Sequence, residues 1–406
     1  MHNLETKALT RPSLLRPEVV VIWIDWYAYH VARFRGLNSA SALTGRVVGL
    51  ELVGGIGVHA GLKFREPLPQ DLAIETIEAD TSWREADKLS LALKLWVRLS
   101  ELKPKVVLVP GYYTLPGIAA ALWARLHGAA SVLMTESCAF DHKRSPWKEF
   151  VKRLGLHLLF DWAVGGGKAH VFYLKQLGFP EERVAGFYDV VDNELFRGGT
   201  FALRTQEEQC LECCTFLYVG RLAPEKNVAM LLESWISYRA QGGTWSLALV
   251  GDGPESADLK ARAGGCVYVQ EVSFPGLKSS HELLPFYASA GCFVLPSTRE
   301  PWGLVVNEAM ASSLPVLVSD RCGCASELVE QGRNGYLFDP EDCSGLTALL
   351  HQIEDLTPEE HGRMSRASGE IICRFTPQKF GLAIASIAAA RRNHKRSLLP
   401  ATGGNR

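Results

Sequence analysis

Two basic and two acidic side chains in the second half of the chain have the types and spacing to hold a phosphorylated ligand. Arg221 and Lys226 stand in 220-GRLAPEKN-227, directly after an apolar run that reads as a strand. Gly220 leaves the backbone room at the strand end, and both cations can aim the same way. A cation pair there suits a diphosphate, whose oxygens accept charge-assisted hydrogen bonds of about 1.5–3 kcal/mol each. An ordinary exposed loop with two surface cations fits the same residues. After the next strand, 250-VGDGPE-255 brings Gly251, Gly253 and Pro254. Its glycines permit a tight turn and close approach of a ligand to the backbone. The proline equally suits the first turn of a plain helix. This is not GxGxxG, so a nicotinamide nucleotide gains little support.

The acidic pair lies in 297-STREPWGLVVNEAM-310. Glu300 comes just before a helix starting near Gly303, and Glu308 lies further along it. The free N–H groups of Gly303, Leu304 and Val305 would face an anion, assisted by the helix dipole. Glu300 beside them could accept hydrogen bonds from sugar hydroxyls, and Glu308 from the vicinal hydroxyls of a ribose. A phosphate cradle between two hydroxyl acceptors describes a nucleotide-sugar. The alternative makes Glu300 a helix N-terminal charge and Glu308 a solvated face residue.

Positioning these groups falls to short β-rich runs alternating with amphipathic stretches, the pattern of α/β proteins with parallel sheets. The chain of 406 residues exceeds one ordinary core. The pattern runs once from 19-VVVIWI-24 to 183-RVAGFYDVV-191 and restarts at 215-TFLYVG-220, with further runs including 266-CVYVQ-270. This predicts two Rossmann-like domains facing a cleft, over 1–196 and 215–375, joined by a charged, Gly-containing linker at 197–214. Residues 376–406 read as a C-terminal helix packing back toward the N-terminal domain, with a frayed tail. A formal net charge of −1 gives no reason to expect nucleic acid as a partner. The N-terminus carries charges and prolines where an export signal needs an apolar run, and no window of roughly 18 residues is continuously apolar. A cytoplasmic protein is expected. Cys210, Cys213 and Cys214 lack the nearby histidines or second CxxC of a zinc site and read as reduced thiols.

GRLAPEKN, VGDGPE, the Glu300–Glu308 spacing and 321-RCGCASELVEQGRNGYLFDP-340 occur in the order seen in retaining GT-B glycosyltransferases of family 4. The resemblance is strong over about 215–340, extends to 189-DVVDNELF-196, and rests on architecture in the first 165 residues. It implies that Arg221 and Lys226 bind the donor diphosphate, that Glu300 meets the transferred sugar, and that Glu308 meets the ribose. Backbone at Gly303–Val305 would meet the phosphates, and the segment Gly276, Leu277 and Lys278 the base. The implied donor is a UDP-sugar or a GDP-sugar, with no cofactor. No DxD motif is present, in keeping with a metal-independent reaction.

The acceptor side departs from that pattern. Where many relatives carry a Gly-Gly loop, this chain reads 23-WIDWYAYHVARFRG-36, making Tyr27, His30 and Arg33 candidate acceptor contacts. Where many carry a histidine, 134-MTESCAFDH-142 offers Glu136 as the acceptor-side catalytic residue, with Ser137 beside it and Asp141 and His142 beyond. Tyr112 and Tyr113 could stack on an acceptor sugar. The segment 143-KRSPWKEFVKRLGLHLLFDW-162 combines Lys143, Arg144, Lys148, Lys152 and Arg153 with apolar residues. Such a helix could rest on an anionic membrane, favouring a lipid-linked acceptor at the inner face, or pack one stripe on its own domain. A GT-B epimerase and a non-catalytic nucleotide-sugar-binding protein are the rival readings.

Overall fold

The computed structural model describes residues 16–41, 43, 45–55, 67–138, 145–206 and 214–397. Asp141, His142, Lys143, Arg144, Cys210, Cys213 and the two ends of the chain lie outside them. Strands of the first half form one parallel sheet: β1 (Val19–Trp23), β2 (Val47–Val53), β3 (Ile74–Glu78), β4 (Val106–Pro110), β5 (Ala130–Thr135), β6 (Trp162–Gly165) and β7 (Val184–Ala185). Their order is β3-β2-β1-β4-β5-β6-β7. The second parallel sheet holds β8 (Thr215–Val219), β9 (Ser246–Val250), β10 (Val272–Gly276), β11 (Cys292–Leu295), β12 (Val316–Ser319) and β13 (Gly335–Phe338), ordered β10-β9-β8-β11-β12-β13.

These strands are near-continuous apolar runs because helices cover both sheet faces. Val19, Val21 and Trp23 of β1 face one core and Val20 and Ile22 the other, as the two-residue strand repeat requires. In each sheet the first strand sits between the second and the fourth: Val19 aligns with Val47 and Val106, and Phe216 with Leu247 and Cys292. The chain changes direction across the sheet beside β1 and beside β8. Ligands of such sheets lodge at the carboxyl ends of the strands there.

The linker reading of 197–214 is corrected over its first part, since Asn193–Gln206 is a helix. Phe196, Thr200 and Arg204 recur every fourth residue. Phe196 is buried against the ring of Tyr287, and Arg204 donates to the carbonyls of Ala288, Ser312 and Tyr287 at 3.0, 2.9 and 2.9 Å. Glycine and charge made this stretch look like a loop, but its i, i+4 stripe docks on the second domain. The run 266–270 is likewise shifted: Val269–Glu271 forms a 3₁₀ turn and the strand follows it as β10. At the other end, helix Pro377–Ser397 lies along helix Ala28–Asn38, with Phe380 and Ile384 buried and Arg392 paired with Glu18. The last helix thus packs on the domain of the first sheet.

Candidate active site

The second sheet builds its side of the cleft from three strand ends. After β8, Gly220 and Gly251 take backbone angles (φ 153° and 141°) that L side chains rarely adopt. They also touch: a Cβ on Gly251 would lie 1.9 Å from the Gly220 carbonyl oxygen. That close approach shapes the turn into Pro224–Lys226, a single 3₁₀ turn ended by Asn227 in the left-handed region. Asn227 Nδ2 donates to the Pro340 carbonyl at 2.8 Å and the Glu225 carbonyl accepts from Thr298 N–H at 3.0 Å. The turn is therefore tied on both sides. Arg221 pairs with Glu225, and Lys226 with Glu300. Burial works to raise the Glu225 carboxyl, but its own N–H and the Arg221 guanidinium hold it below its ordinary value overall.

After β11 the chain reaches Glu300, whose carbonyl accepts from Gly323 N–H at 2.9 Å while Trp302's accepts from Cys324 N–H at 3.1 Å. The segment around the buried free thiols Cys322 and Cys324 therefore clamps the Glu300 loop. Gly303 (φ 104°) turns the chain into helix Leu304–Ala311, and Gly303, Leu304 and Val305 at its start line the cleft. Glu308 accepts from the buried Tyr287 hydroxyl at 2.9 Å, fixing its carboxylate on the cleft wall. Burial and the Glu308 charge hold the Tyr287 phenol well above its usual value, so it remains a donor.

One cavity of about 890 Å³ joins these groups. Arg221, Lys226, Glu300, Glu308, Gly220, Gly251, Gly253, Pro254, Leu277, Lys278, Gly303, Leu304 and Val305 all line it. Gly276 stands one step back, its carbonyl accepting from Gly251 N–H at 3.0 Å. From the first domain Glu136 and Tyr29 close the cavity that Arg221, Lys226, Glu300 and Glu308 line from the second. An adjoining cavity of about 390 Å³ shares Tyr29, Leu277, Lys278, Leu283 and Glu308 with it, and Tyr27 lines that second space.

The remaining acceptor-side residues sort differently. Arg33, read as an acceptor contact, is completely buried, 3.1 Å from Asp189 and stacked between Tyr29 and Tyr188. Its counter-charge lies 156 residues away, so the sequence around it gave no sign of the pairing. His30 is also buried, stacked on Trp23, with Nδ1 accepting from Tyr27 N–H at 3.3 Å. Burial and the nearby Arg33 keep this imidazole well below its usual pKa, hence neutral. It supports the wall and does not line either cavity. Tyr27's hydroxyl donates to Asp25 at 2.8 Å. Ser137 N–H donates to Thr135 Oγ1 at 3.1 Å. Tyr112 is half-buried beneath Lys152, whereas Tyr113 is 76% exposed. Tyr29, Trp302, Asn307 and Asp189 are structural members of the site that sequence reasoning passed over. Each lies inside a stretch already singled out, Tyr29 in 23–36, Asp189 in 189–196 and Trp302 and Asn307 between Glu300 and Glu308, the last two joined by a 2.9 Å hydrogen bond.

On the outside of the first domain, helix Pro146–Leu159 turns Trp147, Phe150, Val151, Leu154 and Leu158 to solvent and buries Leu156. Lys152 is not one of its free cations, since it bonds Glu149 and the Tyr173 hydroxyl at 2.8 and 2.7 Å. Lys148 and Arg153 are exposed. Among the described residues no helix is long and apolar enough to cross a membrane.

Comparison with known proteins bears on this geometry. Residues 210–369 match the family model described as glycosyl transferases group 1. The chain is 38% identical over 161 residues to sulfoquinovosyl transferase SQD2 of Arabidopsis thaliana, covering 38% of this chain and 29% of that protein. It is 32% identical over 137 residues to the amylovoran biosynthesis glycosyltransferase AmsD of Erwinia amylovora, covering 34% and 37%. Each match thus spans well under half of the relative's own length. The crystal structure of Anabaena Alr3699/HepE in complex with UDP and glucose superposes with a TM-score of 0.69 at 17% identity, over 92% of this chain and 100% of that one. Residues 210–369 are therefore similar to glycosyl transferases group 1, and the chain as a whole has the GT-B fold, two Rossmann-like halves about one cleft.

Proposed function

We propose that this protein is a retaining glycosyltransferase that moves a sugar from a nucleoside diphosphate sugar to a hydroxyl acceptor in surface polysaccharide or glycolipid synthesis. One observation carries the reading: Arg221, Lys226, Glu300, Glu308 and the opening residues of helix Leu304–Ala311 line a single cavity. The two cations and the amides are grouped where a diphosphate leaving group would gain charge, and such preorganised donors stabilise developing charge without reorganisation. We read the reaction as metal-independent because this positive set can itself neutralise the departing diphosphate. Glu300, held by Lys226, is assigned to the hydroxyls of the transferred sugar, and Glu308, held by Tyr287, to the ribose. In a front-face mechanism the diphosphate oxygen takes the acceptor proton as the glycosidic bond forms, so catalysis is largely positioning. The donor base is uracil or guanine.

The acceptor is assigned as a glycan or lipid-linked saccharide presented at the cytoplasmic face of an anionic membrane. The support is the exposed apolar row of helix Pro146–Leu159, flanked by Lys148 and Arg153. Incubation with UDP-, GDP- and ADP-sugars, with release of the nucleoside diphosphate followed and the product anomer read by NMR, tests the reaction. Transfer with the donor's anomeric configuration supports it. An isomerised donor makes the protein an epimerase, an untouched donor makes it a binding protein, and either outcome overturns the proposal.

A further inference from the structure

The first domain holds a further cavity of about 600 Å³, lined among others by Arg125, Gly128, Asp161, Trp162, Arg183 and Arg391. That volume falls in the range of about 300–1,000 Å³ usual for small-molecule sites. Ala130, which also lines it, opens β5, Trp162 opens β6, and Arg183 directly precedes β7. The cavity therefore lies at the amino ends of these strands, whereas Glu136, just past β5, lines the cleft at the carboxyl ends. The six residues of β5, roughly 20 Å of extended chain, stand between the two spaces.

Three guanidinium groups meet a single carboxylate there, and that carboxylate is already engaged. Asp161 Oδ1 pairs with Arg125 Nη1 at 3.4 Å, and Oδ2 accepts from Ser131 N–H and Oγ at 3.0 and 3.2 Å. Arg391 donates only to the Gly128 carbonyl, and Glu18, the other acid near it, is paired with Arg392. Burial pushes the Arg391 guanidinium downward, and Asp161 and Glu18 offset this only in part. Arg183 is exposed, with no ion pair or side-chain hydrogen bond among the described residues. A helix dipole accounts for Arg125 alone, in the last turn of helix Leu115–Leu126. Arg391 stands inside helix Pro377–Ser397, and Arg183 ends a three-residue turn.

We propose that this cavity binds a small phosphorylated anion whose oxygens bridge Arg391 of the last helix to Arg125 and Arg183 of the first domain, beside the wall made by Trp162. Guanidinium forks match phosphate oxygens two at a time, which a surplus of two positive charges invites. The last helix starts beside Phe375, whose ring meets Phe187 of the first domain and Trp302 of the second. A bound anion fastens the far end of that helix to the strand entrances. The site is independent of the reaction in the cleft.

Pyrophosphate is the probe, titrated calorimetrically into R221A/K226A, which removes the cleft's own cations, and into the same chain carrying R183A. The first binds it and the second binds it about tenfold or more weakly, as loss of one charge-assisted contact requires. Hydrogen exchange slows at the end of helix Pro377–Ser397 in the wild-type chain and not in R183A, which reads the site even if the cleft variants fail to fold. R183A alone melts as wild type, because its side chain is exposed and unpaired. Affinity indifferent to R183A, binding abolished by R221A/K226A in a folded chain, or no protection of the last helix overturns the proposal. Flotation with vesicles of phosphatidic acid in phosphatidylcholine, against phosphatidylcholine alone, separates the sources of the phosphate. Flotation that needs both phosphatidic acid and Arg183 makes the ligand a lipid headgroup, and pyrophosphate binding without it makes the ligand a free metabolite; either supports the site. Arg183-dependent binding in a protein that transfers no sugar supports the site and refutes only the transferase reading.

Discussion

Replacing Lys226 with alanine separates a catalytic from a structural role. Its ammonium pairs with Glu300, and the two side chains are only 20% and 11% exposed. Solvent screening therefore discounts the interaction little, unlike that of Arg221, which is 42% exposed. If Lys226 stabilises the leaving diphosphate, its loss removes one preorganised donor, about 10²–10³ in kcat or roughly 2.7–4 kcal/mol. Removing Arg221 costs less, about tenfold, because water can replace part of its charge. The same K226A change also leaves Glu300 with Ser297 Oγ at 3.4 Å as a weak substitute. An unpaired, largely buried carboxylate costs about 1–3 kcal/mol of stability. A second change, E300Q, removes the stranded charge, so K226A/E300Q is more stable than K226A although it is no more active. Steady-state transfer at saturating donor and thermal melts of the three variants measure both effects. A kcat for K226A within threefold of wild type, or melting shifts that simply add in the double variant, would refute the reasoning.

Gly303→Ala forces a side chain into the left-handed region with its Cβ 3.0 Å from Leu295, so it costs about 1–2 kcal/mol from the backbone alone and weakens donor binding, both visible in thermal shift with and without UDP. Tyr287→Phe removes the hydroxyl that orients Glu308 and raises the donor KM severalfold while kcat changes little; a kcat effect without a KM effect would place Glu308 elsewhere in the reaction. Leu154 and Leu158 are 52% and 67% exposed, so L154E/L158E forfeits about 2 kcal/mol of insertion, roughly 30-fold in partitioning onto anionic vesicles, with the melting temperature unchanged. The Asp189 carboxyl is raised in the folded protein by burial, so the folded state holds a proton that the unfolded chain releases near the usual value of about 3.9. Its contribution to stability is fully present below that pH and is lost as pH rises through the folded value; D189N flattens this slope, and equal slopes for the two proteins would contradict the assignment.

Legibility differed sharply between the two halves for a physical reason. In the second half the functional groups sit within a few residues of a strand end. Local rules therefore place them: Arg221 and Lys226 follow β8, and Glu300 and Glu308 bracket the start of one helix. Strand–helix alternation made both sheets readable, since runs such as 19-VVVIWI-24 are apolar on both faces. In the first half the decisive contacts are between residues far apart in sequence. Arg33 reads as an acceptor contact until Asp189 is brought against it. The helix Asn193–Gln206 was hidden by its glycines, because only docking on the second domain explains its stripe.

Those long-range contacts converge on the start of helix Leu304–Ala311. Trp302 Nε1 donates to Asn307 Oδ1, Asn307 Nδ2 donates to the Asp189 carbonyl, and Arg33 bonds both Asp189 and the Val190 carbonyl at 3.4 Å. Trp302 also fills the space beside Gly167, where a Cβ would meet its ring at 2.5 Å. The residue following the Glu300–Pro301 turn is therefore wedged into the first domain, two positions from the carboxylate assigned to the sugar. Rigid, buried polar contacts of this kind specify one arrangement, because each group left unpaired would cost more than the net gain of the bond. The position of Glu300 relative to Glu136 is thus set by the interface between the halves and not by either sheet alone.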